Sequence, residues 1–341
     1  MSNKWYLKDG GNLDGIVLST RIRLARNLAG TPFPNRITPE GQREINHKVR
    51  DALINGNSAV SSDFTYFELD KLSAARRGAM LERHIISPEL AAAQGVKALL
   101  LSSDESVSIM LGEEDHIRIQ VLSQGEDLQD AFSLAQKLDI LLDSELHFAF
   151  DERLGYLTEC PTNLGTGLRA SLMLHLPAIE RLGAVERLAA SVAKIGLTIR
   201  GTFGEGSGIT GSLYQLSNQV TLGISEESAI ENLKAIAGQI IAQEQSLREK
   251  ADRLELEDTV FRSLGILRNA RLLNSEEMTE ALSNLRMGVS QKILRVPVSL
   301  INKLLYEGGS ASLRTENETL ENPRERDKRR AELARTLFAQ V

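Results

Sequence analysis

Apolar and polar residues alternate in short stretches through roughly the first two thirds of the chain, then recur at helical spacing through the rest. Alternation over Ile16 to Leu24, Val107 to Leu111, Ile117 to Leu122 and Leu197 to Arg200, and over Phe148 to Phe150 with Tyr156 to Thr158, predicts strands. Helical spacing predicts helices over Asp127 to Leu141 and Leu168 to Leu176, so this part reads as a sheet with helices packed on it. After residue 223 the pattern is helical nearly throughout. Ser225 stands as an N-cap before Ile230, Leu233, Ile236, Ala237, Ile240, Ile241, Glu244 and Leu247. Asn274 with Glu277 has the form of a capping box, and Pro297 sits where a helix can begin. The run EGGSASLRTENETLENP from Glu307 to Pro323 reads as a mobile loop, and a last helix is predicted from about Arg324 to Phe338. No internal repeat is visible.

Composition sharpens the division. The chain has 341 residues, 42% hydrophobic and 25% charged, ample for about two domains. Only Gly238, Gly265, Gly288, Gly308 and Gly309, five of the 26 glycines, follow residue 223. An α+β domain over residues 1–223 and an all-α domain over 224–341 are expected. The formal net charge of -6 argues against a general affinity for nucleic acid or anionic membrane, so any anion site has to be local. Cys160 is the single cysteine, which excludes an internal disulfide and a cysteine-based zinc site. His47, His84, His116, His147 and His175 show no metal-ligand spacing, so no structural zinc is expected. The start MSNKWYLKDGG has no apolar run of a signal peptide, and no apolar stretch reaches the roughly 18 residues of a membrane span. A soluble, cytoplasmic protein is expected.

Several nucleotide signatures are missing: there is no G-x-x-x-x-G-K-[ST], no H-R-D and no D-F-G. Gly206 to Gly211 matches G-x-G-x-x-G, but a dinucleotide site needs a helix next, and LYQLSNQVTL from Leu213 to Leu222 reads as extended. Four other segments carry charge in patterns suited to phosphate. In Ser19-Thr20-Arg21-Ile22-Arg23-Leu24, alternation sets Arg21 and Arg23 on one face and Leu18, Ile22 and Leu24 on the other. Paired guanidinium forks can grip phosphate oxygens, though a solvated face with cross-strand ion pairs has the same spacing. In Glu113-Glu114-Asp115-His116-Ile117-Arg118, alternation groups Glu114, His116 and Arg118, which suits cation binding or proton abstraction, or simply a charged turn. Cys160 to Arg169 places a Gly and Thr loop before the predicted helix at Leu168, where free amides attract anions and a plain capped helix is the alternative. Arg200 to Ser207 leads a strand into a glycine-rich turn with Glu205 in its middle, which suits a closing lid.

Taken in this order, STRIRLAR (19–26), EEDHIRI (113–119), CPTNLGTGLRAS (160–171) and RGTFGEGS (200–207) closely resemble the phosphagen (guanidino) kinase family. Within it the chain is most similar to the bacterial protein arginine kinases, because only about 20 residues precede STRIR and a helical domain follows. The resemblance implies a phosphagen-kinase (glutamine-synthetase-like) catalytic domain, an antiparallel sheet flanked by helices. It also implies transfer of the γ-phosphoryl group of ATP to a guanidinium nitrogen, with Mg2+ present. The missing N-terminal helical domain of small-guanidine kinases implies an open site reached by an arginine on another protein.

The same resemblance implies roles for particular residues. Glu114 and Glu205 look like the carboxylate pair that orients the guanidinium, and Cys160 like the reactive cysteine beside it. The nucleotide-contacting positions it implies are Ser19, Thr20, Arg21, Ile22, Arg23, His84, Arg118, Arg169, Ala170, Ser171, Leu172, Met173, Arg200, Gly201, Thr202, Phe203, Gly204 and Glu205. Arg326-Asp327-Lys328-Arg329-Arg330-Ala331 fits an R-D-x-x-R-A motif that implies an allosteric phosphoarginine pocket at Arg326, Asp327, Arg330 and Ala331, although a solvated helix face has the same composition. Implied partners are protein substrates with exposed arginine, an activator protein with zinc-binding modules, a Clp-type unfoldase acting in stress response, and a second copy of the chain in a homodimer. Trp5 and the other aromatic residues read as core or adenine-facing packing. Gly112 stands where the family usually has Asn, and Gly208 with Ile209 where Glu-Ala is common. Two other readings fit the sequence: a kinase of free arginine or another small guanidine, and a phosphoarginine-binding regulator with weak catalysis.

Overall fold

A computed structural model describes residues 4–8, 15–54, 63–92, 94–201, 211–316, 321–339 and 341. Eight antiparallel strands form one sheet in the order β2-β3-β4-β5-β1-β8-β10-β9. They are β1 (Val17–Arg26), β2 (Phe64–Glu68), β3 (Ala98–Ser102), β4 (Val107–Leu111), β5 (Ile117–Gln124), β8 (Leu168–His175), β9 (Leu197–Gly201) and β10 (Leu213–Asn218). A small hairpin of β6 (Phe150–Asp151) and β7 (Gly155–Tyr156) stands apart. β1 lies in the middle, between β5 and β8, so whatever it carries sits at the centre of the sheet.

One face of the sheet is the main core. Ile22 and Leu24 of β1, Ile117, Ile119 and Val121 of β5, and Leu168, Ala170, Leu172 and Leu174 of β8 are buried there. The helices α1 (Pro39–Ile54), α4 (Leu128–Leu146), α5 (Pro177–Arg181), α6 (Val185–Ala193) and α7 (Glu226–Glu249) cover it. The opposite face is covered only in part. At one side α2 (Ala74–Glu82) and α3 (Pro88–Ala92) pack Met80, Ile85, Ile86 and Leu90 on Leu99, Leu101 and Met110. Elsewhere Trp5, Tyr6 and Tyr306 pack on Leu122. The strand centre between these covers is left accessible.

The register corrects one alternation. It shifts between Val17 and Ser19, so Leu18 leaves the Ile22 and Leu24 set and joins Met173 and Leu213 on the other face. A larger correction concerns Leu168 to Leu176, which is the strand β8 and not a helix. Leu, Ala and Met are good helix formers, but burial of alternate residues between two neighbouring strands outweighs that preference. The Gly and Thr loop before it therefore leads into a strand and offers no helix N-terminus to an anion. Gly165 in that loop has φ +107, and a Cβ there would lie 2.3 Å from the Thr221 carbonyl oxygen, so only glycine lets the two backbones meet.

Beyond the sheet, Ser225 caps α7 by accepting from the Ser228 amide at 3.1 Å. The buried face of α7, from Ala229 through Ile241, belongs to the sheet core. A second core starts at Leu256 and is built from α8 (Arg253–Asn269), α9 (Ser275–Ser290), α10 (Val298–Glu307) and α12 (Pro323–Phe338). Asn274 caps α9 through the Glu277 amide at 2.8 Å, and Pro297 precedes α10. Part of the stretch read as a loop between Glu307 and Pro323 is the helix α11 (Ser310–Glu316). Its Leu313 is fully buried, and its contact with α2 supplies the stability that its own seven residues lack.

Candidate active site

The accessible sheet face carries arginines on neighbouring strands. Arg23 of β1 is the register partner of Arg169 of β8, and Arg21, two residues away, pairs with Ser171. Arg118 of β5 stands opposite Ala25, and Arg200 of β9 opposite Gln215. All five arginines line one cleft of about 1030 Å³, together with His84, Glu113, Glu114, Lys97, Gln215 and Ser217. This follows from period-2 alternation on antiparallel strands, which sends residues of one row to one face.

Burial and the crowding of like charge both disfavour the charged arginines in this partly dry site. Burial first, then Arg118 and Arg169, pushes the Arg21 guanidinium down to about 10. Burial and the neighbouring Arg21, Arg118 and Arg169 hold Arg23 well below the usual arginine range. Arg169 is lowered by burial and by Arg200 and Arg118. Arg21 has a neutral partner, the Gln215 carbonyl, and the buried Arg23 Nε has no hydrogen-bond partner among the described residues. Such a surface is organised for a polyanion.

Carboxylates approach from the β4–β5 connection. Arg118 Nη2 donates to Glu114 Oε2 at 2.9 Å, and Asn163 Nδ2 reaches the same oxygen at 3.4 Å. The Glu114 side chain is 39% exposed, whereas Glu113 is buried against Arg118 and Ser87. β5 starts only at Ile117, so Glu114 and Arg118 meet across a turn, and His116 does not share their face. His116 is fully buried: its Nδ1 accepts from the Leu28 amide at 3.1 Å and its Nε2 meets the Pro32 carbonyl at 2.9 Å. The turn is fixed by Asn27, which donates to Asp115 Oδ1 at 2.6 Å and accepts from the His116 amide at 2.9 Å. Asp115 also accepts from the Glu159 amide at 2.8 Å, which ties the turn to the segment before Cys160. Gly112, with φ +69, opens the turn, and a Cβ there would lie 2.7 Å from the Gln42 side chain.

His84 reaches the cleft from the end of α2 in a left-handed conformation, φ 59. Burial and the charge of Arg21 push its imidazole down to about 4, so it is neutral at neutral pH. Cys160 is half-buried, with Sγ 3.1 Å from Thr162 Oγ1; Thr162 lines the cleft and Cys160 does not. Of the other residues singled out for nucleotide contact, Ser19, Ser171 and Met173 sit on the arginine face but are buried. Thr20, Ile22, Ala170 and Leu172 point the other way. Ile22, Ala170 and Leu172 are core, and Thr20 donates to the Gly125 carbonyl at 2.8 Å, so these four side chains do not line the cleft. Gly201 lies at its edge. Thr202, Phe203, Gly204 and Glu205 lie outside the described residues, as do Gly206 to Thr210. Nothing local in the sequence marks Glu82 or Lys97 for the cleft, and Glu113 stands there only as the neighbour of Glu114; the tertiary approach of α2, β3 and the β4–β5 turn puts all three in it. Among the described residues no group of three or more His, Cys, Asp or Glu is placed to hold a metal ion.

The C-terminal motif is largely internal. Arg330 is 1% exposed, and its guanidinium donates to the Gly308 carbonyl at 2.7 Å, the Leu273 carbonyl at 2.8 Å and Asp327 at 2.7 Å. Ala331 is fully buried in the helical core. Arg326 and Asp327, the other two residues of the motif, are partly exposed.

Comparison with known proteins gives the context. The family described as ATP:guanido phosphotransferase, C-terminal catalytic domain, matches residues 44–247, and the Protein-arginine kinase McsB C-terminal domain matches 253–341. A protein-arginine kinase of Caldanaerobacter subterraneus subsp. tengcongensis is 42% identical over 326 residues, covering 94% of this chain and 96% of that one. Relatives of the same name from Halothermothrix orenii and Geobacillus stearothermophilus are 43% and 42% identical over 97% of this chain. Among solved structures, a duplicated taurocyamine kinase from Schistosoma mansoni is similar with a TM-score of 0.63 and 26% identity over 75% of this chain, which spans only 38% of that duplicated one. Lombricine kinase shares the fold with a TM-score of 0.62 at 23% identity, over 74% of this chain and 70% of its own. An arginine-lined cleft on an antiparallel sheet, with a guanidino phosphotransferase match over every strand but β1, a protein-arginine kinase match from α8 onward and relatives of that name along nearly the whole chain, has one reading: the chain belongs to the protein-arginine kinases, a branch of the guanidino phosphotransferases.

Proposed function

We propose that this chain transfers the γ-phosphoryl group of ATP to the guanidinium of arginine side chains in proteins. The observation that carries the proposal is the convergence of Arg21, Arg23, Arg118, Arg169 and Arg200 on one cleft with the half-exposed Glu114 beside them. Guanidinium has no free lone pair and a pKa above about 12, so a proton has to leave as the N–P bond forms. Glu114, held by Arg118 and Asn163, is set to accept guanidinium N–H groups and orient the nucleophilic nitrogen. The family resemblance assigns the second carboxylate to Glu205. The arginines balance the triphosphate and the charge spread over the transferring group, so catalysis is mainly positioning and electrostatics. Mg2+ bound with the nucleotide would neutralise phosphate charge.

Finer parts of the proposal rest on the family resemblance and on surface features. We assign catalysis to the sheet-bearing part and regulation to the helices after it, with Arg326, Asp327, Arg330 and Ala331 as the phosphoarginine pocket that the resemblance implies. Leu254 and Phe261, seven residues apart on α8 and 77% and 54% exposed, favour a homodimer through the helical part. A zinc-module activator, a Clp-type unfoldase receiving marked proteins, a role in stress response and a cytoplasmic site follow from the resemblance. No helix of the described residues is long and apolar enough to cross a membrane. The direct test is the chemistry of the product: labelled γ-phosphoryl transferred to a protein should be released by acid and survive base, as a P–N bond requires. Label that withstands acid would mean a hydroxyl acceptor and would contradict the proposal.

A further inference from the structure

Two contacts from the helical part reach the nucleotide-facing side of the cleft. Glu82, the last residue of α2, lines the cleft, and its carboxylate also receives the start of α11. The Ala311 amide donates to Oε1 at 2.7 Å, and the Ser312 amide and hydroxyl donate to Oε2 at 2.8 and 2.7 Å. The seat is tight: a Cβ on Gly309 would lie 2.2 Å from Glu82 Oε2, and a Cβ on Gly78 2.7 Å from the Ala311 Cβ. Two residues after Glu82 comes His84, and Arg83 between them is anchored to Glu105 at 3.0 Å. The second contact is Tyr306 of α10, 4% exposed, whose ring stands edge-on to His84 with centroids 6.0 Å apart. Arg330 in turn clasps the segment between the two contacts, through the Gly308 carbonyl at 2.7 Å and the Ser310 hydroxyl at 3.2 Å.

We propose that this joint, Glu82 seated on α11 and Tyr306 against His84, is a positioning device through which the C-terminal helices set ATP affinity. Glu82, Ser312 and Tyr306 are positioning residues acting through His84. The reasoning is geometric. α2 ends at the cleft, so where its last turn sits decides where His84 emerges, and that turn is held from the far side by three hydrogen bonds from another unit. A shift of α11 would therefore move a nucleotide-facing residue without touching the carboxylate that orients the acceptor arginine. The inference rests on reading the cleft as the ATP site.

The test uses variants on the α11 side, because Glu82 itself lines the cleft. Gly309→Ala pushes the carboxylate from its seat, and Ser312→Ala removes one donor with little disturbance. In the full chain, Gly309→Ala should raise KM for ATP about tenfold, within the usual span of coupling between linked sites. Ser312→Ala should raise it less, and KM for the protein substrate and kcat should stay at wild-type values in both. Gly265→Ala, at an open position on α8, is the control. Unchanged KM for ATP in both variants, with only a lower Tm, would mean a merely structural joint and would overturn the proposal. An equal rise in both KM values, or a fall in kcat alone, would overturn it as well. Arg23→Ala separates the two levels: if it binds ATP as wild type does, the reading of the cleft fails and the joint with it. If Arg23→Ala loses ATP while the α11 variants do not, the cleft stands and only the joint falls.

Discussion

Arg23 on β1 and Arg169 on β8 are register partners, two like charges side by side in a partly dry cleft. Their arrangement costs stability when no anion is present. Arg23 is lowered well below the ordinary arginine range, first by burial and then by Arg21, Arg118 and Arg169. For a base so lowered, the cost is fully present below the folded-state pKa and is relieved as pH rises from that value to the unfolded one. Arg23→Met should therefore stabilise the ligand-free protein by roughly 1–3 kcal/mol, the range for relieving an unsatisfied buried group. The same variant should lose most of the rise in Tm that ATP gives the wild type. Calorimetry with and without ATP checks both, and a lower ligand-free Tm would contradict the like-charge argument.

Glu114→Gln separates chemistry from binding. The amide keeps the shape but neither accepts a proton nor carries the charge that orients a guanidinium. Phosphoarginine formation should fall roughly 10²- to 10⁴-fold, the usual range for a positioned acid or base. ATP affinity, carried by the arginine face, should change little. Titration calorimetry beside rate measurements tests this, and equal losses in both would place Glu114 in nucleotide binding.

Acid should destabilise the fold through its neutral histidines. Burial and Arg21 push His84 down to about 4, while burial lowers His116 and, with Arg248 and Arg286, holds His175 well below its ordinary value. An unfolded chain takes up protons at these groups as pH falls through about 6.5, and the folded chain does not. Stability is thus expected to fall between about pH 6.5 and 4. His84→Gln should flatten that slope by up to one proton. A Tm-against-pH series gives the answer, and parallel curves for wild type and variant would remove His84 from this role.

Arg330→Ala should weaken the helical part before it affects anything else. The change leaves the Gly308 and Leu273 carbonyls without their donor, and each orphaned buried group costs about 1–3 kcal/mol. A fall in stability of roughly 2–4 kcal/mol is expected, against a small effect for Arg326→Ala, which stands partly exposed. Denaturant unfolding distinguishes them. Equal, small losses would mean that the Arg330 contacts contribute little.

Much of the sheet was legible because half-buried strands write their burial into the sequence. In β1 the apolar Ile22 and Leu24 against Arg21 and Arg23 give both the strand and the charged face. Caps were legible for the same local reason: Ser225 and Asn274 are short acceptors at the first unpaired amides. β8 was not, since Leu, Ala and Met favour a helix in isolation and only its neighbours β1 and β10 make it a strand. β3, whose ALLLS is buried throughout, has no alternation to read. Alternation failed before Ile117, where the chain turns and His116 is drawn beneath the β1 end by Leu28 and Pro32. α11 and the Glu82 seat depend on a contact between segments 229 and 230 residues apart, which no local pattern encodes.

The most direct measurement is mass spectrometry, kept away from acid, of an arginine-rich protein such as casein incubated with this chain and Mg-ATP, with free L-arginine in a parallel reaction. Phosphoarginine is expected on the protein, at arginine side chains, and absent from the Glu114→Gln control. Product on free arginine alone would make the chain a small-guanidine kinase and contradict the function proposed for the cleft.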